Sequence, residues 1–368
     1  MSDAGLYVHV PFCSGKCSYC DFVSFPGRAA SVPGYLKALE AEAGLRPAAR
    51  PETLYVGGGT PTELSAEDLA ALLGSVRRSY PGPVFEEATV EANPESLTPE
   101  KAAALREGGV TRLSLGLQTT DDRLLERIGR RHRFSDAVRA FRLGRDAGFD
   151  MSVDLMFGLP GQTLEGLERS LSTVLAMRPE HLSVYGLDVH EDTPFGREGV
   201  VHDEDLGRAM FELVIVRARA AGYHHYEISN FALPGRECRH NMLYWRNEDY
   251  LGLGPAAVSH QDGERSTNSP GLDEYRSGVL AGRRPLAHAE RLEGKEKLGE
   301  TAMLGLRLLD GAELGPELEE AFARELESLA ERGLILRDGR RTRLSSEGLF
   351  MANVVASEFV APFAEAAC

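Results

Sequence analysis

The chain has 368 residues, 42% of them hydrophobic, and a formal net charge of −15. Its apolar content suffices for a large core and excludes a disordered or fibrous protein, and its acidity makes nucleic acid an unexpected partner. No apolar run approaches the roughly 20 residues of a transmembrane helix, and Met1–Gly5 lacks the pattern of a signal peptide. We therefore expect no transmembrane segment and a cytoplasmic location.

Short β-branched runs alternate with helical stretches from Leu6 to about Gly222, which is typical of βα units around a parallel sheet. Start and stop signals predict helices that begin at Ser65 and Thr98, and further helices over Ser135–Ala147 and Thr163–Met177. The predicted strands are Leu6–Val10, Thr53–Val56, Ala88–Glu91, Arg112–Gly116, Ser152–Phe157 and Leu182–Leu187. The pattern predicts an α/β fold whose residues 1–222 form a partial (β/α)6 barrel of the TIM type.

A loop-rich connector is predicted for residues 223–286, where Gly, Pro, Asn and Asp interrupt the periodicity. Two amphipathic helices follow, Lys295–Leu309 and Leu314–Arg332. A hairpin then turns at Asp338-Gly339 between strands Leu334–Leu336 and Thr342–Leu344, so residues 287–368 are predicted to form a winged-helix-like domain. The hairpin is flanked by Arg337, Arg340, Arg341 and Arg343. The acidity of the chain favours a solvated hairpin over a nucleic-acid reader.

Three of the five cysteines, Cys13, Cys17 and Cys20, follow the first predicted strand at C-x3-C-x2-C spacing. A loop in that place opens onto the face where barrel enzymes do their chemistry. Thiolates suit an iron–sulfur cubane, which usually takes four of them, so three leave one iron open to a ligand with an amine and a carboxylate, such as S-adenosylmethionine (SAM). The alternative is a structural zinc site with His9 or Cys238 as fourth ligand.

Further polar and glycine positions follow the later strands. Consecutive glycines in Gly57-Gly58-Gly59-Thr60 let backbone groups approach a ligand that side chains would exclude. Glu91, Gln118 and Asp154 stand at strand ends, which converge on the central cavity of a barrel, where a nucleoside and its methionine tail would be held. Each of them also fits a loop cap or a satisfied polar residue of the core.

The ordered motifs C-x3-C-x-Y-C, GGGTP, EANP, GLQ and DLMFGLPGQT resemble the radical SAM superfamily, and within it the oxygen-independent coproporphyrinogen III oxidase-like (HemN-like) proteins. The resemblance covers nearly the whole chain. It implies a 4Fe–4S cluster on the three cysteines and a flavodoxin- or ferredoxin-type electron donor. It also implies SAM contacts from Tyr7, Gly58, Gly59, Thr60, Glu91, Gln118, Arg130 and Asp154.

Two departures separate the chain from the coproporphyrinogen dehydrogenases. Phe22 stands where they carry a further cysteine, and only twelve residues precede Cys13 in place of a long N-terminal extension. Both departures, together with the H-N-x-x-Y-W run at residues 240–245, resemble the HemW group of heme chaperones. That resemblance implies heme as a ligand and a hemoprotein of the respiratory chain as its acceptor.

His240 is the candidate heme ligand within this run, because a neutral imidazole is a common axial ligand and Tyr244 and Trp245 offer flat apolar faces. In the other interpretation, His240 and Asn241 hydrogen-bond the connector's own backbone and Trp245 anchors it to the barrel. Cys238 fits a Cys-x-His ligand pair but better a small buried hydrophobe. The pair His224-His225 is a further candidate.

Two functions remain in view from the sequence. The leading hypothesis is a heme chaperone that binds a 4Fe–4S cluster, SAM and heme and transfers heme to respiratory hemoproteins. The alternative is an oxygen-independent coproporphyrinogen III dehydrogenase, in which a 5′-deoxyadenosyl radical from SAM leads to decarboxylation of propionates to vinyl groups. Phe22 and the short N-terminus count against this alternative.

Overall fold

Seventeen strands are seen in the computed structural model, which describes residues 4–46, 50–81 and 85–360. They are β1 Ala4–Val10, β2 Phe12–Cys13, β3 Phe25–Pro26, β4 Pro51–Gly58, β5 Glu87–Ala92, β6 Arg112–Gln118, β7 Asp150–Phe157, β8 His181–Gly186, β9 His224–Glu227, β10 Asn230–Ala232, β11 Tyr250–Leu253, β12 Val258–Gln261, β13 Glu264–Asn268, β14 Leu286–Arg291, β15 Ala312–Glu313, β16 Ile335–Asp338 and β17 Arg341–Leu344. Three N-terminal residues and the last eight residues of the predicted C-terminal domain lie outside the described ranges.

The helices alternate with the barrel strands and then dominate the C-terminal part. They are α1 Val32–Gly44, α2 Ala66–Ser79, α3 Pro99–Glu107, α4 Asp122–Arg127, α5 Phe134–Asp146, α6 Leu164–Met177, α7 Pro194–Glu198, α8 Glu204–Ala220, α9 Arg239–Trp245, α10 Leu272–Leu280, α11 Gly294–Gly305, α12 Pro316–Ala321, α13 Ala323–Glu331, α14 Ser346–Phe350 and α15 Ala352–Val360. Within the described ranges, none of these helices is both long and apolar enough to cross a membrane.

The six predicted strands are confirmed as neighbours in one parallel sheet, in the order β1-β4-β5-β6-β7-β8. Their residues alternate between two buried faces, as a sheet covered by helices on one side and closed around a core on the other requires. Ser65, Thr98 and Thr163 accept backbone N–H bonds as N-caps of α2, α3 and α6. The α/β fold with a partial (β/α)6 barrel is therefore confirmed.

The connector is more regular than its composition predicts. β11 adds to the open side of β1 in parallel, with Leu6 opposite Leu251, and β12, β13 and β14 extend the same sheet antiparallel. Glycines such as Gly254 and Gly263, both at positive φ, turn the chain between these short strands. The prediction of a loop-rich segment was wrong, because its turn-forming residues lie between short strands and do not prevent those strands from forming.

The C-terminal part has its own hydrophobic core, formed by α11, α12, α13, α15 and the hairpin, whereas Leu349 and Phe350 of α14 pack against the barrel core. The hairpin is confirmed as β16 and β17, and its turn holds Gly339 at φ +59°. The single helix predicted over Leu314–Arg332 was wrong, since the chain breaks at Phe322, whose fully buried ring lies in this core. The division into residues 1–222, 223–286 and 287–368 remains a proposal.

Candidate functional site

A cavity of about 340 Å³ opens at the carboxyl ends of the barrel strands and extends down the barrel axis. Such a place is where barrel enzymes bind their ligands. Ten of the twelve predicted site residues line it: Cys13, Cys17, Cys20, Gly58, Gly59, Thr60, Glu91, Gln118, Arg130 and Asp154. The other two do not line it. Tyr7 lines a second concavity on the other side of the cysteine loop, and its contact with SAM stays a prediction, whereas His240 is described below.

The cysteine loop is fixed by backbone hydrogen bonds to both sides of the barrel mouth. The N–H of Ser18 donates to the carbonyl of Ile128 at 3.0 Å, and the N–H of Phe195 donates to the carbonyl of Ser18 at 2.9 Å. The three thiols are half-buried at this mouth, and burial raises the pKa of Cys13 and of Cys20. Ligation to a metal deprotonates such thiols outright, so their raised pKa values do not prevent them from binding iron.

The donor set fits an iron–sulfur cluster better than zinc. His9, one proposed fourth zinc ligand, has Nδ1 bonded to the Tyr7 hydroxyl and Nε2 bonded to the Val23 carbonyl. Cys238, the other, lies at the opposite end of the barrel beside Glu87. Thiolates are the ligands that iron–sulfur clusters prefer.

The glycine turn packs directly on the strand that leads into the cysteines. The N–H of Gly59 donates to the carbonyl of Val10 at 2.8 Å, and that of Thr60 donates to the carbonyl of Phe12 at 2.7 Å. A Cβ on Gly59 would lie 2.6 Å from the Phe12 oxygen, and Gly58 adopts φ +108°. The turn therefore needs glycine for its contact with the cysteine loop as well as for close approach of a ligand.

A chain of hydrogen bonds joins the cysteine loop to the cavity wall. Thr60 Oγ1 lies 3.6 Å from Cys13 Sγ and accepts from Asn93 Nδ2 at 3.1 Å. Arg130 donates to Asn93 Oδ1 at 2.7 Å and to the Tyr19 hydroxyl at 3.0 Å. Tyr19 and Asn93 were not singled out from the sequence, although both lie inside its motifs, in C-x-Y-C and in EANP.

Two carboxylates face the cavity from neighbouring parts of its wall. Glu91 accepts from the Tyr55 hydroxyl at 2.9 Å and from the Gly58 N–H at 3.1 Å, and burial together with Asp154 raises the pKa of Glu91 to about 7. Asp154 accepts from the Ser114 hydroxyl at 3.0 Å, and burial raises its pKa to about 6. Such a pair is stabilised by a bound cation, which suits the ammonium and sulfonium of SAM.

Gln118 ends β6 at a register irregularity and has φ +69°. A non-glycine residue in this region costs of order 1–3 kcal/mol and is found most often at functional sites. The strained backbone turns Gln118 into the cavity wall, and its contact with SAM stays a prediction.

His240 lies at the base of the barrel, opposite the cysteine loop, on helix α9 rather than on the predicted loop. Its Nδ1 lies 2.8 Å from Thr53 Oγ1 and its Nε2 lies 2.8 Å from the Tyr244 hydroxyl, and only 1% of the residue is exposed. Burial lowers its pKa to about 3. Both ring nitrogens are engaged, so iron could reach His240 only after α9 moved away from the barrel.

The base of the barrel is closed by a buried polar network. Glu87 pairs with Arg112 at 3.2 Å and accepts from Cys238 Sγ and from the His240 N–H. Trp245 stacks against Arg307 of the C-terminal part, with the guanidinium carbon 4.4 Å from the ring centroid. Trp245 was predicted to anchor the connector to the barrel. Its contact with Arg307 anchors the connector to the C-terminal part instead.

The histidine pair and the hairpin arginines have structural partners. His224 lies 3.4 Å from both Glu237 and Asp310, whereas His225 stacks on Phe231 at 4.1 Å.

Two of the hairpin arginines form ion pairs with glutamates of the same domain: Arg337 with Glu319 and Arg341 with Glu313.

Comparison with known proteins agrees with this geometry. The Radical SAM superfamily matches residues 7–174, and the HemN C-terminal domain matches residues 292–351. The heme chaperone HemW of Bacillus subtilis is 39% identical over 96% of this chain and 98% of its own length, and that of Escherichia coli is 34% identical over 86% and 90%. The chain belongs to the HemW family of radical SAM proteins.

A solved structure shares the whole fold of this HemW family member. Coproporphyrinogen III oxidase (HemN) from Escherichia coli superposes with a TM-score of 0.86 and 23% sequence identity, over 97% of this chain and 90% of that one. Membership of the radical SAM superfamily implies a 4Fe–4S cluster and SAM. The half-buried thiols and the carboxylate-lined cavity fit both groups.

Proposed function

We propose that this protein is a heme chaperone that holds a 4Fe–4S cluster and SAM in its barrel and transfers bound heme to a hemoprotein of the respiratory chain. One observation carries the proposal. The thiol loop closes the mouth of a carboxylate-lined cavity, in a chain that aligns with a heme chaperone over nearly its full length. The free thiols that a cluster needs persist in a reducing compartment, and we propose the cytoplasm as the location.

The proposed cofactors have distinct places in the barrel. Cys13, Cys17 and Cys20 would ligate three irons, and the glycine turn and both buried carboxylates would hold SAM next to the fourth. When bound and reduced, the cluster supplies the electron of radical SAM chemistry, and a flavodoxin- or ferredoxin-type protein is the proposed donor. Arg130 holds Tyr19 of the cysteine loop against the cavity wall, so it positions the loop relative to the SAM site.

Heme is the cargo in this proposal, and the H-N-x-x-Y-W run is its proposed binding region. His240 becomes an iron ligand only if α9 opens, because its Nε2 is engaged by Tyr244. A ligand that must be released before it binds favours transient heme binding over permanent binding. A chaperone requires such binding, since its cargo must leave.

A heme titration of the anaerobically reconstituted protein tests the proposal. Wild type should give a saturable Soret signal and pass heme to an apo-hemoprotein added afterwards. His240→Ala should shift the Soret band if an opened α9 lets His240 ligate the iron, and should leave the band unchanged if ring contacts alone hold the porphyrin. His224→Ala, at a surface contact with Glu237, serves as the matched control. Failure of the wild-type protein to bind heme would contradict the chaperone function.

A parallel assay with coproporphyrinogen III and SAM tests the dehydrogenase alternative. The fold shared with HemN leaves room for that chemistry, but Phe22, at the rim of the cavity, is 64% exposed where the dehydrogenases carry a further cysteine. We expect no decarboxylation. Consumption of coproporphyrinogen without heme transfer would assign the protein to the enzyme branch.

A further inference from the structure

A second concavity, of about 410 Å³, lies on the other side of the cysteine loop, between β1 and the β11–β12 extension. We call it the aromatic slot; its walls include Tyr7, His9, Phe22, Tyr244, Tyr250 and Val258. Its volume is within the range of about 300–1,000 Å³ that small-molecule sites occupy. It was not predicted from the sequence, because its walls come from four separate segments of the chain.

The polar atoms of the slot's aromatic residues are already paired. The hydroxyl of Tyr7 bonds His9 Nδ1 at 3.0 Å, that of Tyr244 bonds His240 Nε2 at 2.8 Å, and that of Tyr250 accepts from Arg265 at 2.8 Å. What these residues offer to a ligand is therefore the carbon surface of their rings. This chemistry differs from the charged cavity proposed for SAM, and it selects a flat, apolar ligand.

Aromatic rings lie at a side wall, at the rim and at the inner end of the slot. Tyr244 and Tyr250 meet edge to face, with centroids 4.5 Å apart at 71°. Phe22 stands at the rim with 64% of its surface exposed, so its ring is accessible to a ligand in the slot. Tyr7 closes the inner end and stacks on Tyr55, with centroids 6.3 Å apart.

The slot shares a wall with the cavity of the cluster site. Asp21 and Phe22 line both the cavity and the slot, directly after the third cysteine. Two features that separate this chain from the coproporphyrinogen dehydrogenases meet here, since Phe22 forms the rim and Tyr244 of the H-N-x-x-Y-W run forms a wall. The tyrosine of that run, rather than its histidine, reaches a concavity in this structure.

We propose that the aromatic slot binds the porphyrin ring of heme by stacking, beside the loop that carries Cys20. This inference rests on the proposed function and specifies where its cargo lies while α9 stays packed on the barrel and the Nε2 of His240 stays bonded to Tyr244. Both nitrogens of His9, the imidazole that lines the slot, are engaged, so binding here depends on the ring and not on the iron. An iron-free porphyrin is therefore expected to bind as well as heme does.

Protoporphyrin IX without iron and hemin are the two probes, titrated by fluorescence and by the Soret band on the anaerobically reconstituted protein. Phe22→Ala removes an exposed ring, and the loss of one aromatic contact should weaken the binding of both probes about three- to tenfold. Val258→Trp fills the slot and should abolish binding of both. Val216→Trp, at a position 63% exposed on α8, is the matched control and should bind as wild type does.

The outcomes separate the slot from the chaperone function. If wild type binds hemin and neither Phe22→Ala nor Val258→Trp changes that binding, the proposal that the slot binds the porphyrin is overturned, but the proposed chaperone function is not. Binding of hemin without binding of protoporphyrin IX would also overturn it, because iron coordination would then carry the affinity. If Val258→Trp weakens SAM binding and leaves porphyrin binding intact, the slot belongs to SAM. If wild type binds neither probe, both proposals fall.

Discussion

Replacement of Glu91 by glutamine removes one of the two buried charges of the cavity at nearly constant volume. Burial raises the pKa of Glu91 from its ordinary 4.5 to about 7, so the folded protein without ligand holds this proton more tightly than the unfolded chain does. The contribution of this proton to the unfolding free energy is complete below pH 4.5 and is lost as the pH rises through about 7. The change in pKa between the unfolded and the folded chain corresponds to at most about 3 kcal/mol of this free energy.

Glutamine does not titrate, so the unfolding free energy of Glu91→Gln should rise relative to wild type by up to about 3 kcal/mol between pH 4.5 and pH 8. The same variant should bind SAM about 10- to 100-fold more weakly at pH 8, because a hydrogen bond to a charged group contributes roughly 1.5–3 kcal/mol. Urea unfolding of the ligand-free protein and equilibrium dialysis of SAM measure the two effects.

The control for this substitution is Glu331→Gln, at an exposed position, which should change neither quantity. Unfolding free energies of wild type and Glu91→Gln that stay parallel from pH 4.5 to pH 8 would refute the argument for a raised pKa. Unchanged SAM affinity would refute the place of Glu91 in the SAM site, whatever the unfolding curves show.

Three further substitutions test other parts of the barrel. Cys13→Ala should abolish the brown cluster chromophore and Cys238→Ala should keep it; zinc retained in place of iron would contradict the cluster. Gly59→Ala places a Cβ 2.6 Å from the carbonyl oxygen of the residue before Cys13, so cluster content and SAM affinity should both fall, whereas Gly44→Ala, with open space around it, should change neither. Glu87→Ala leaves its buried arginine partner uncompensated and should cost about 3–5 kcal/mol in urea unfolding; an unchanged midpoint would count against the network at the base.

The parallel strands and their helices could be predicted because each carries local signals. The apolar runs that form β1 and β4 to β8 lie between caps such as Ser65 and Thr163, and these signals act within a few residues. The same holds for Cys13, Cys17 and Cys20, because one short loop places all three at the barrel mouth. Strand ends then brought Glu91 and Gln118 to one cavity without any knowledge of their contacts, whereas Asp154 reaches that cavity from the middle of β7.

The place of His240 could not be predicted, because it depends on residues far away in sequence. Its ring nitrogen meets Thr53, 187 residues earlier, and a Cβ on Gly5 would lie 3.0 Å from its Cε1. The run at residues 240–245 lies in a segment rich in turn residues and gives no sign that its histidine will enter the base of a barrel. β11 escaped prediction for a related reason, since its pairing with β1 spans most of the chain.

The two concavities divide the proposed ligands by chemistry. The cavity presents Glu91 and Asp154, whose raised pKa values mean that a cation bound there would be stabilised by both carboxylates, and SAM brings such a cation. The slot presents aromatic rings whose hydroxyls are already paired, and a porphyrin offers a matching flat surface. Asp21 and Phe22 belong to both walls. If loss of SAM shifts the cluster loop, the rim of the slot therefore moves with it. Hemin affinity that differs between SAM-bound and SAM-free wild type, and no longer differs in Phe22→Ala, is the measurable consequence of that shared wall.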